Sequence, residues 1–554
     1  MTYSRSHGNF PSPRRRPRSR GPVILSACAA LAVIAGVGYW GYGMVGGDDS
    51  EDPRTKDAAA ALEKFLDAWE AGDAQRAGQS TDTPDNAESL VKSVMTNLKP
   101  SKTEISAGAG ELNAEGEVEI PFTVEMAIPG TGDYSWHSRA KVVQTENRTE
   151  KKWKVEFHTE MIHPDMTPGQ TLALKSRDRA AVLDANGDVL QSASLVGSVD
   201  PETGKGVSGL QARYDEQLTG GKGAAKSIVI VDRDSNQVVK KLTGTKESTG
   251  KPVRTTIDPE VQEAAAEALD GVEKNAAIVA IDPSTGNILA AANVPSGMNR
   301  ALQGRYPPGS TFKVVTSAAL LKEGMRPSDT AKCPKFAHVN GQRFENQDQF
   351  VLPAGSTFRD SFAHSCNTFF VNSRGKLSQS ALHDSAQAFG IGGTWDVGAV
   401  TYDGSVPVST SDNDKAASTI GQGRVLASPL VMASIAATVK EGAFKQPVLV
   451  PDAVKNRHEA AASLDTGVTE ALRSMMRATV TDGAGAALRG IPGEPHAKTG
   501  TAEFGSEDPP RTHAWMIGYQ GDRNLAWSVL LEDGGSGGSD AGPIAAKFLR
   551  NLTG

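Results

Sequence analysis

The chain has 554 residues, of which 38% are hydrophobic and 58 are glycine, a composition that excludes a disordered or fibrous protein. At about 150 residues per domain, this length predicts three or four domains. The net charge is −7, and the first 21 residues carry six arginines and no acid, so the remainder carries −13. An acidic body of this kind argues against nucleic-acid binding.

The N-terminal segment has the pattern of a membrane anchor. Residues 22–47 contain no charged side chain and would span about 39 Å as a helix, which exceeds a bilayer core of about 30 Å. Arginines precede this run and acidic residues follow it, so the positive-inside rule predicts a cytoplasmic N-terminus and an external body. A cleaved signal peptide and a lipoprotein signal ending at Cys28 are less favoured, because the apolar run is too long and continues beyond Cys28.

The next segment, up to about His163, has the pattern of one α+β domain. An amphipathic helix is predicted from Asp57 to Ala71, with apolar residues at helical spacing and Gly72 as its stop. Strict alternation then predicts a strand from Val118 to Ile128. Further strands are predicted at 134–144 and 153–157. Packing explains nearly every apolar residue of this segment, and no cluster in it suggests chemistry.

The remaining chain begins with a more polar region, residues 170–255, with short strands such as 228–231. At Asp258 a helix is predicted to begin, because Asp is a good N-cap and Pro259 suits the first helical position. A β-hairpin is predicted from 277–281 and 288–292, and helices and strands mix over the rest of the chain. The glycine-rich tract 534–538 fits Gly-x-Ser-x-Gly around Ser536. No histidine follows it, however, so it is interpreted as a flexible loop and not as a hydrolase elbow.

Ser310 and Lys313 form the most informative motif. Ser-x-x-Lys occurs five times in the chain, but only this copy follows a forced turn, Pro307-Pro308-Gly309, and opens a helix-forming run. Ser310 is therefore predicted on the first turn of a helix, where free N–H groups favour developing negative charge. Lys313 would lie on the same face and reach the Ser310 hydroxyl, and burial would let its amine act as a base.

Two further motifs complete the candidate site. The pattern Lys498-Thr499-Gly500, followed by Thr501, predicts a strand. Its cationic lysine and threonine hydroxyls suit a substrate carboxylate, and Gly500 lets another backbone or a ligand approach the strand closely. A serine and an amide are offered by both Ser365-Cys366-Asn367 and Ser411-Asp412-Asn413. We choose Ser365 and Asn367, because they lie between two apolar segments like a packed interhelical turn, whereas Ser411 lies in a polar stretch that looks like a loop.

Three cysteines limit the covalent chemistry of the chain. Cys28 falls in the predicted anchor, which leaves Cys333 and Cys366 for at most one external disulfide. The sequence leaves open whether they pair. Their spacing does not fit a zinc site.

In chain order, the first motif Ser-x-x-Lys, the second motif Ser-x-Asn and the third motif Lys-Thr-Gly resemble the active-site set of penicillin-binding proteins and serine β-lactamases. Other segments narrow the resemblance to class B penicillin-binding proteins with a MecA-type N-terminal extension. They are Gly421-Gln422-Gly423 with the following 428–433, the segment 514–519, the pedestal-like segments 179–187 and 209–214, and the extension-like residues 56–166.

The resemblance implies an α+β multidomain fold with a single N-terminal transmembrane helix. Its catalytic part would be an α/β penicillin-binding transpeptidase domain of the serine β-lactamase-like fold. The implied division is a basic cytoplasmic head (1–21), an anchor (22–47), a cone-shaped nuclear-transport-factor-like domain (56–166), a pedestal or dimerisation domain (167–255) and the transpeptidase domain (256–554).

The resemblance also implies a function, peptidoglycan D,D-transpeptidation in cell wall biogenesis on the outer side of the cell membrane. Ser310 would attack stem peptides ending in D-Ala-D-Ala, Lys313 would take its proton, and β-lactams would acylate the same serine. Ser365 would relay a proton under the influence of Lys498, and Asn367 would orient the donor amide. Lys498, Thr499 and Thr501, with Gly500 between them, would hold the terminal carboxylate, and the backbone N–H groups of Ser310 and Thr501 would form the oxyanion hole.

No metal ion or organic cofactor is implied, and a membrane glycan polymerase is the expected partner. The alternatives are a D,D-carboxypeptidase, a β-lactamase, a non-enzymatic β-lactam sensor and a division scaffold. A β-lactamase would not need two preceding domains, and the 21-residue head contains no signalling domain.

Overall fold

The computed structural model describes residues 52–553, except 148–149, 177–178, 202, 222–225, 244–249 and 508. The predicted head and anchor, residues 1–47, lie outside the described residues. Within the described ranges, no helix combines the length and the apolar character needed to cross a membrane.

The N-terminal part packs three helices against one face of an antiparallel sheet. The predicted strand 118–128 is confirmed, and its even-numbered residues face the helices while the odd-numbered ones face outward. The first helix ends where predicted, since Gly72 follows with a φ of +72°. In the sheet the strand order is β1-β3-β4-β5, with β2 beside β3. The elements are α1 (Pro53–Glu70), α2 (Ala74–Gln79), α3 (Pro84–Leu98), β1 (Lys102–Ala107), β2 (Glu111–Leu112), β3 (Val118–Ile128), β4 (Gly132–Asn147), β5 (Glu150–Glu156) and α4 (Thr159–Ile162).

The middle part shares its apolar residues between two cores. Its three-stranded antiparallel sheet, in the order β6-β8-β9, adds Leu172, Ile228 and Ile230 to the N-terminal core. By contrast, Leu195 and Leu218 belong to the large C-terminal core. The predicted boundaries of a separate 167–255 domain therefore stay a prediction. The elements are β6 (Gln170–Ser176), β7 (Val182–Leu183), α5 (Ala193–Val196), α6 (Gly209–Arg213), α7 (Asp215–Thr219), β8 (Lys226–Asp232), β9 (Val238–Lys241) and β10 (Val253–Arg254).

The C-terminal part is built on a five-stranded antiparallel sheet in the order β12-β11-β17-β16-β15. The predicted hairpin forms β11 and β12, and the predicted cap of α8 is confirmed because the Asp258 carboxylate accepts from two N–H groups of the first turn. The strands are β11 (Ala276–Ile281), β12 (Ile288–Val294), β13 (Phe336–Val339), β14 (Gln342–Glu345), β15 (His496–Phe504), β16 (Arg511–Tyr519) and β17 (Ala526–Leu531). The helices are α8 (Pro259–Ala268), α9 (Arg300–Gln303), α10 (Lys313–Lys322), α11 (Phe358–Ala363), α12 (Asn367–Ser373), α13 (Ala381–Ala388), α14 (Asp412–Thr419), α15 (Pro429–Glu441), α16 (Thr466–Thr481) and α17 (Gly542–Asn551).

Both faces of this sheet are buried. Trp515 and Ile517 of β16 point into the large core with α10 and α15, whereas Met516 points into a second core with α8 and α17. A sheet covered on both faces is a rigid support, and its edge strand β15 carries the Lys-Thr-Gly motif. The sheet therefore fixes one wall of the candidate site.

Candidate active site

Ser310 lies on a tight turn that leads into α10. Residues Gly309–Phe312 form a 3-10 turn, and the α-helix itself begins at Lys313, so the predicted first helical turn is a 3-10 turn here. Gly309 has a φ of +53°, and its N–H donates to the Gly421 carbonyl at 2.9 Å. Ser310 is only 8% exposed. The turn therefore presents the hydroxyl at a buried N-terminal end of a helix.

Gly500 permits the close approach that the sequence predicts. A Cβ at this position would lie 2.8 Å from the Thr311 methyl carbon and 3.0 Å from the Pro308 carbonyl oxygen. Side chains do not fit at such distances, so a glycine is required for the Ser310 turn to lie against β15. The pairing brings the first and third motifs together.

Ser365 ends α11 in a conformation that normally selects glycine. The Cys366 N–H donates to the Ser361 carbonyl and the Ser365 N–H to the Phe362 carbonyl, the pattern of a Schellman motif. Ser365 occupies its left-handed position with a φ of +62°, which is strained for a residue with a side chain. The predicted interhelical turn is confirmed. Its left-handed backbone at Ser365 directs the hydroxyl toward Lys313 and Lys498.

A disulfide fastens this turn to the segment before β13. Cys366 is bonded to Cys333, which settles the pairing that the sequence leaves open. Because Cys366 separates Ser365 from Asn367, the disulfide lies within the second motif itself. Cys366 also caps α12, whose first residue is Asn367, by accepting from the Phe369 N–H at 3.3 Å.

Five predicted site residues form one hydrogen-bonded cluster. Lys313 Nζ donates to Asn367 Oδ1 at 2.7 Å, to the Ser365 carbonyl at 2.8 Å and to Ser365 Oγ at 3.3 Å. The Ser310 hydroxyl donates to Asn367 Oδ1 at 3.3 Å, and Lys498 Nζ donates to Ser365 Oγ at 2.9 Å. Ser310 and Lys313 thus meet at Asn367 and are not bonded to each other.

Both lysines are fully buried and carry lowered pKa values. Burial and the nearby charge of Lys498 hold the pKa of Lys313 well below its usual range, and burial lowers the pKa of Lys498 to about 7. Each amine lies over an aromatic ring: Lys313 Nζ is 5.3 Å from the ring centroid of Phe370, and Lys498 Nζ is 5.6 Å from that of Phe362. A lowered pKa increases the neutral fraction of an amine, and only the neutral form can accept a proton.

The threonines of the third motif follow Lys498 on β15 and lie beside the cluster. The Thr499 carbonyl accepts from Lys498 Nζ at 2.8 Å. The Thr501 hydroxyl donates to Gln347 Oε1 and accepts from the Gly537 N–H, both at 3.3 Å. A ligand that accepts a hydrogen bond from the Thr501 hydroxyl would therefore replace Gln347 as its partner.

Two interpretations from the sequence are wrong in part. The polar stretch around Ser411 is not a loop throughout, because α14 begins at Asp412. Ser411 itself precedes the helix and caps it, since its hydroxyl accepts from the Asp414 N–H at 3.1 Å, and Asn413 Nδ2 donates to Gln342. Neither residue joins the cluster. The tract 534–538 is not a flexible loop throughout, because Gly537 is buried and opens a short π-helical turn over Gly537–Ala541. A Cβ on Gly537 would lie 2.3 Å from the Gly500 carbonyl oxygen, so this glycine packs behind the third motif.

Sequence reasoning missed the residues that orient the cluster from β14 and the turn after it. The Glu345 carbonyl accepts from Asn367 Nδ2 at 2.9 Å, which turns Asn367 Oδ1 toward Ser310 and Lys313. Gln347 reaches Thr501 from the following turn. Glu345 acts through its backbone carbonyl, which any residue carries, and Gln347 has a side chain that is common on protein surfaces. A single sequence therefore gives no signal for either contact.

Comparison with known proteins assigns both ends of the described chain. Residues 276–550 match the penicillin binding protein transpeptidase domain, and residues 57–170 match the NTF2-like N-terminal transpeptidase domain. The peptidoglycan D,D-transpeptidase PbpA of Mycolicibacterium smegmatis is 34% identical over 361 residues, which cover 53% of this chain and 71% of the relative. The chain belongs to the class B penicillin-binding proteins. It is accordingly a serine acyltransferase with a penicillin-binding transpeptidase fold and an NTF2-like N-terminal domain.

Another relative and a solved structure are also similar to this class B penicillin-binding protein. PbpA of Mycobacterium tuberculosis is 31% identical over 359 residues, which cover 54% of this chain and 72% of the relative. The solved structure of the M. tuberculosis penicillin-binding protein A as a penicillin G acyl-enzyme complex has a TM-score of 0.57 at 24% identity. The match covers 68% of this chain and all of that one. This likeness supports the fold.

Proposed function

We propose that the protein is a peptidoglycan D,D-transpeptidase that works through an acyl-enzyme on Ser310. The observation that carries the proposal is the single hydrogen-bonded cluster of Ser310, Lys313, Ser365, Asn367 and Lys498, drawn from three distant segments. A serine beside a buried lysine of lowered pKa is an activated nucleophile that needs no histidine.

In the acylation half, Ser310 Oγ attacks the carbonyl carbon of the penultimate D-alanine of a stem peptide. Neutral Lys313 accepts the Ser310 proton as the C–O bond forms. The proton then passes through the Ser365 hydroxyl to the amine of the leaving D-alanine, and the C–N bond breaks. Lys498, bonded to Ser365 Oγ at 2.9 Å, tunes how readily that hydroxyl gives up its proton.

Substrate binding follows the same cleft. Lys498, Thr499 and Thr501 hold the terminal carboxylate, and Asn367 orients the donor amide. The backbone N–H groups of Ser310 and Thr501 form the oxyanion hole, in which one donor typically contributes about 3–4 kcal/mol. Gly500 lets these two N–H groups approach each other.

In the second half, the amine of a neighbouring stem peptide attacks the Ser310 ester. An amide cross-link forms, the ester bond breaks, and the proton from the amine returns to Ser310 through Lys313. These steps balance without a metal ion or an organic cofactor. β-Lactams acylate Ser310 by the same attack and remain bound.

We further propose that residues 22–47 anchor the protein in the cell membrane, with residues 1–21 cytoplasmic and the catalytic part external. The charge pattern supports this placement, since the arginines precede the apolar run and the acidic residues follow it. A membrane glycan polymerase would supply the uncross-linked strands. The division into domains 56–166, 167–255 and 256–554 belongs to the same proposal.

The test uses the full-length protein in detergent and a fluorescent penicillin, with the labelled peptide mapped by mass spectrometry. Wild-type protein should be labelled on Ser310, and Ser310→Ala should lose the label. Ser411→Ala, at the alternative motif outside the cluster, is the matched control and should keep it. A D-amino acid acceptor then separates the activities, because exchange of the terminal D-alanine supports transpeptidation and hydrolysis alone indicates a carboxypeptidase.

A further inference from the structure

Strand β15 has one open edge beside the nucleophile. It is the last strand of the sheet and pairs with β16 on one side over its whole length. In an antiparallel ladder, alternate residues direct their N–H and C=O groups to the same edge. The Thr499 carbonyl faces the cleft, where it accepts from Lys498 Nζ. Thr501 and Glu503, two and four residues further on, therefore direct their backbone groups to the same open edge.

Gln422 occupies this edge at Glu503. When the Gln422 side-chain amide is assigned the orientation that satisfies both partners, its oxygen accepts from the Glu503 N–H at 2.7 Å and its nitrogen donates to the Glu503 carbonyl at 3.3 Å. A side-chain amide carries the same donor and acceptor as a peptide group. Gln422 therefore takes the place that a residue of an added strand would occupy.

The loop that carries Gln422 is held in position. Gly421 and Gly423 both have a φ of +70°, so the glutamine lies between two left-handed glycines. The Gly421 carbonyl accepts from the Gly309 N–H at 2.9 Å, and the Gln422 N–H donates to the Ala417 carbonyl at 3.0 Å. A Cβ on Gly421 would lie 2.1 Å from the Gly309 carbonyl oxygen. The loop is therefore fastened to the Ser310 turn and to α14.

These contacts leave a short window for backbone pairing. Within the described part of the strand, Lys498 takes the Thr499 carbonyl and Gln422 takes both backbone groups of Glu503. Between them lies Thr501, whose carbonyl packs against Gly309 of the Ser310 turn, since a Cβ on Gly309 would lie 2.5 Å from the Thr501 carbonyl oxygen. Thr501 is therefore the residue of this edge that lies beside the nucleophile and is held by neither Lys498 nor Gln422.

We propose that Gln422 is a specificity-determining residue that ends the backbone pairing of a bound donor peptide at Thr501. This inference rests on the proposed function, which places the donor carboxylate at Lys498 and Thr499. From there the donor chain runs toward Glu503, and its next outward-facing peptide group meets Gln422 instead of a free strand edge. The donor backbone leaves β15 at this point, so its upstream residues are selected by their side chains and not by a continued ladder.

The experiment compares two donors in full-length wild-type and Gln422→Ala proteins. One donor is an N-acylated D-Ala-D-Ala dipeptide, and the other is extended by three residues at its N-terminus. Release of D-alanine is measured with a D-amino acid acceptor. Because Gln422→Ala frees the Glu503 N–H and C=O, the KM of the long donor should fall about fivefold or more. The KM of the dipeptide and both kcat values should stay within about twofold.

Arg424→Ala is the matched control. Arg424 ties the same loop to Asp414 but does not touch β15, so its removal should leave the dependence on donor length unchanged. The inference is overturned if Gln422→Ala alters both donors equally or neither of them, or if Arg424→Ala reproduces its effect. Penicillin labelling of Ser310 separates the two proposals. Wild-type protein that neither labels nor releases D-alanine refutes the proposed function, whereas normal labelling with no length effect refutes only the role of Gln422.

Discussion

Replacing Lys498 by methionine tests the electrostatic coupling at the centre of the site. Lys498 Nζ and Lys313 Nζ both bond to Ser365 Oγ, at 2.9 Å and 3.3 Å, so they lie no more than about 6 Å apart. At an effective dielectric constant of about 20, two positive charges at this distance repel by roughly 2.8 kcal/mol, which corresponds to about a hundredfold change in a protonation equilibrium. Removing the Lys498 charge should therefore raise the pKa of Lys313.

The sign of the effect follows from the proposed role of each lysine. Lys313 as the proposed base accepts a proton only when neutral, so acylation should be lost as the pH falls through its pKa. The pKa of Lys498 is about 7, so Lys498 is positively charged below that pH. The acid limb of the pH–rate profile, where Lys313 becomes protonated, falls in this range. In Lys498→Met that limb should move to higher pH by about two units, whatever the loss in maximal rate.

The assay is stopped-flow acylation by a fluorescent penicillin over pH 5–9, with each profile normalised to its own maximum. Lys498→Arg is the control, because it keeps the charge and should leave the acid limb in place even if the maximal rate falls. An acid limb that stays where it is in Lys498→Met, or that moves to lower pH, would refute the coupling. Thermal melts of each variant confirm that the comparison is made on folded protein.

Three further predictions concern stability and assembly of the site. Replacing both cysteines by serine removes a cross-link of sequence separation 33, which should lower the free energy of unfolding by about 3–4 kcal/mol. Wild-type protein with reductant should then lose both stability and penicillin acylation in parallel, since Cys366 holds the second motif, while the cysteine-free variant should not respond to reductant. Ser411→Ala should cost about 1 kcal/mol in denaturant unfolding through loss of its cap on α14, with an unchanged acylation rate; a loss of acylation would implicate the alternative motif. Glu532 accepts from the Arg300 guanidinium at 2.8 Å and from the Tyr306 hydroxyl, so Glu532→Ala leaves a buried cation unpaired and should destabilise the protein by about 3 kcal/mol, whereas a change below 1 kcal/mol would contradict that assignment.

Much of the local structure is readable from the sequence because it depends on neighbours in the chain. The alternation over 118–128 specifies a strand with one buried face, and Asp258-Pro259 specifies a helix start. The turn before Ser310 is likewise encoded by two prolines and a glycine. The 3-10 geometry of that turn and the helix at 412–419 were not predicted, because Gly, Ser, Thr, Asp and Asn are poor helix formers and the second segment lacks an apolar helical periodicity.

The sequence by itself determined the three motifs and thereby the family and its chemistry, since a nucleophile, a base and a carboxylate-binding strand leave short residue patterns. Only the tertiary structure decided how they meet. Burial of both amines lowers the lysine pKa values, a disulfide and a strained left-handed Ser365 present the second motif, and Gln422 reaches the backbone of a strand some eighty residues away. These properties arise from contacts between distant segments, and desolvation and strand-edge pairing exist only once the chain has folded.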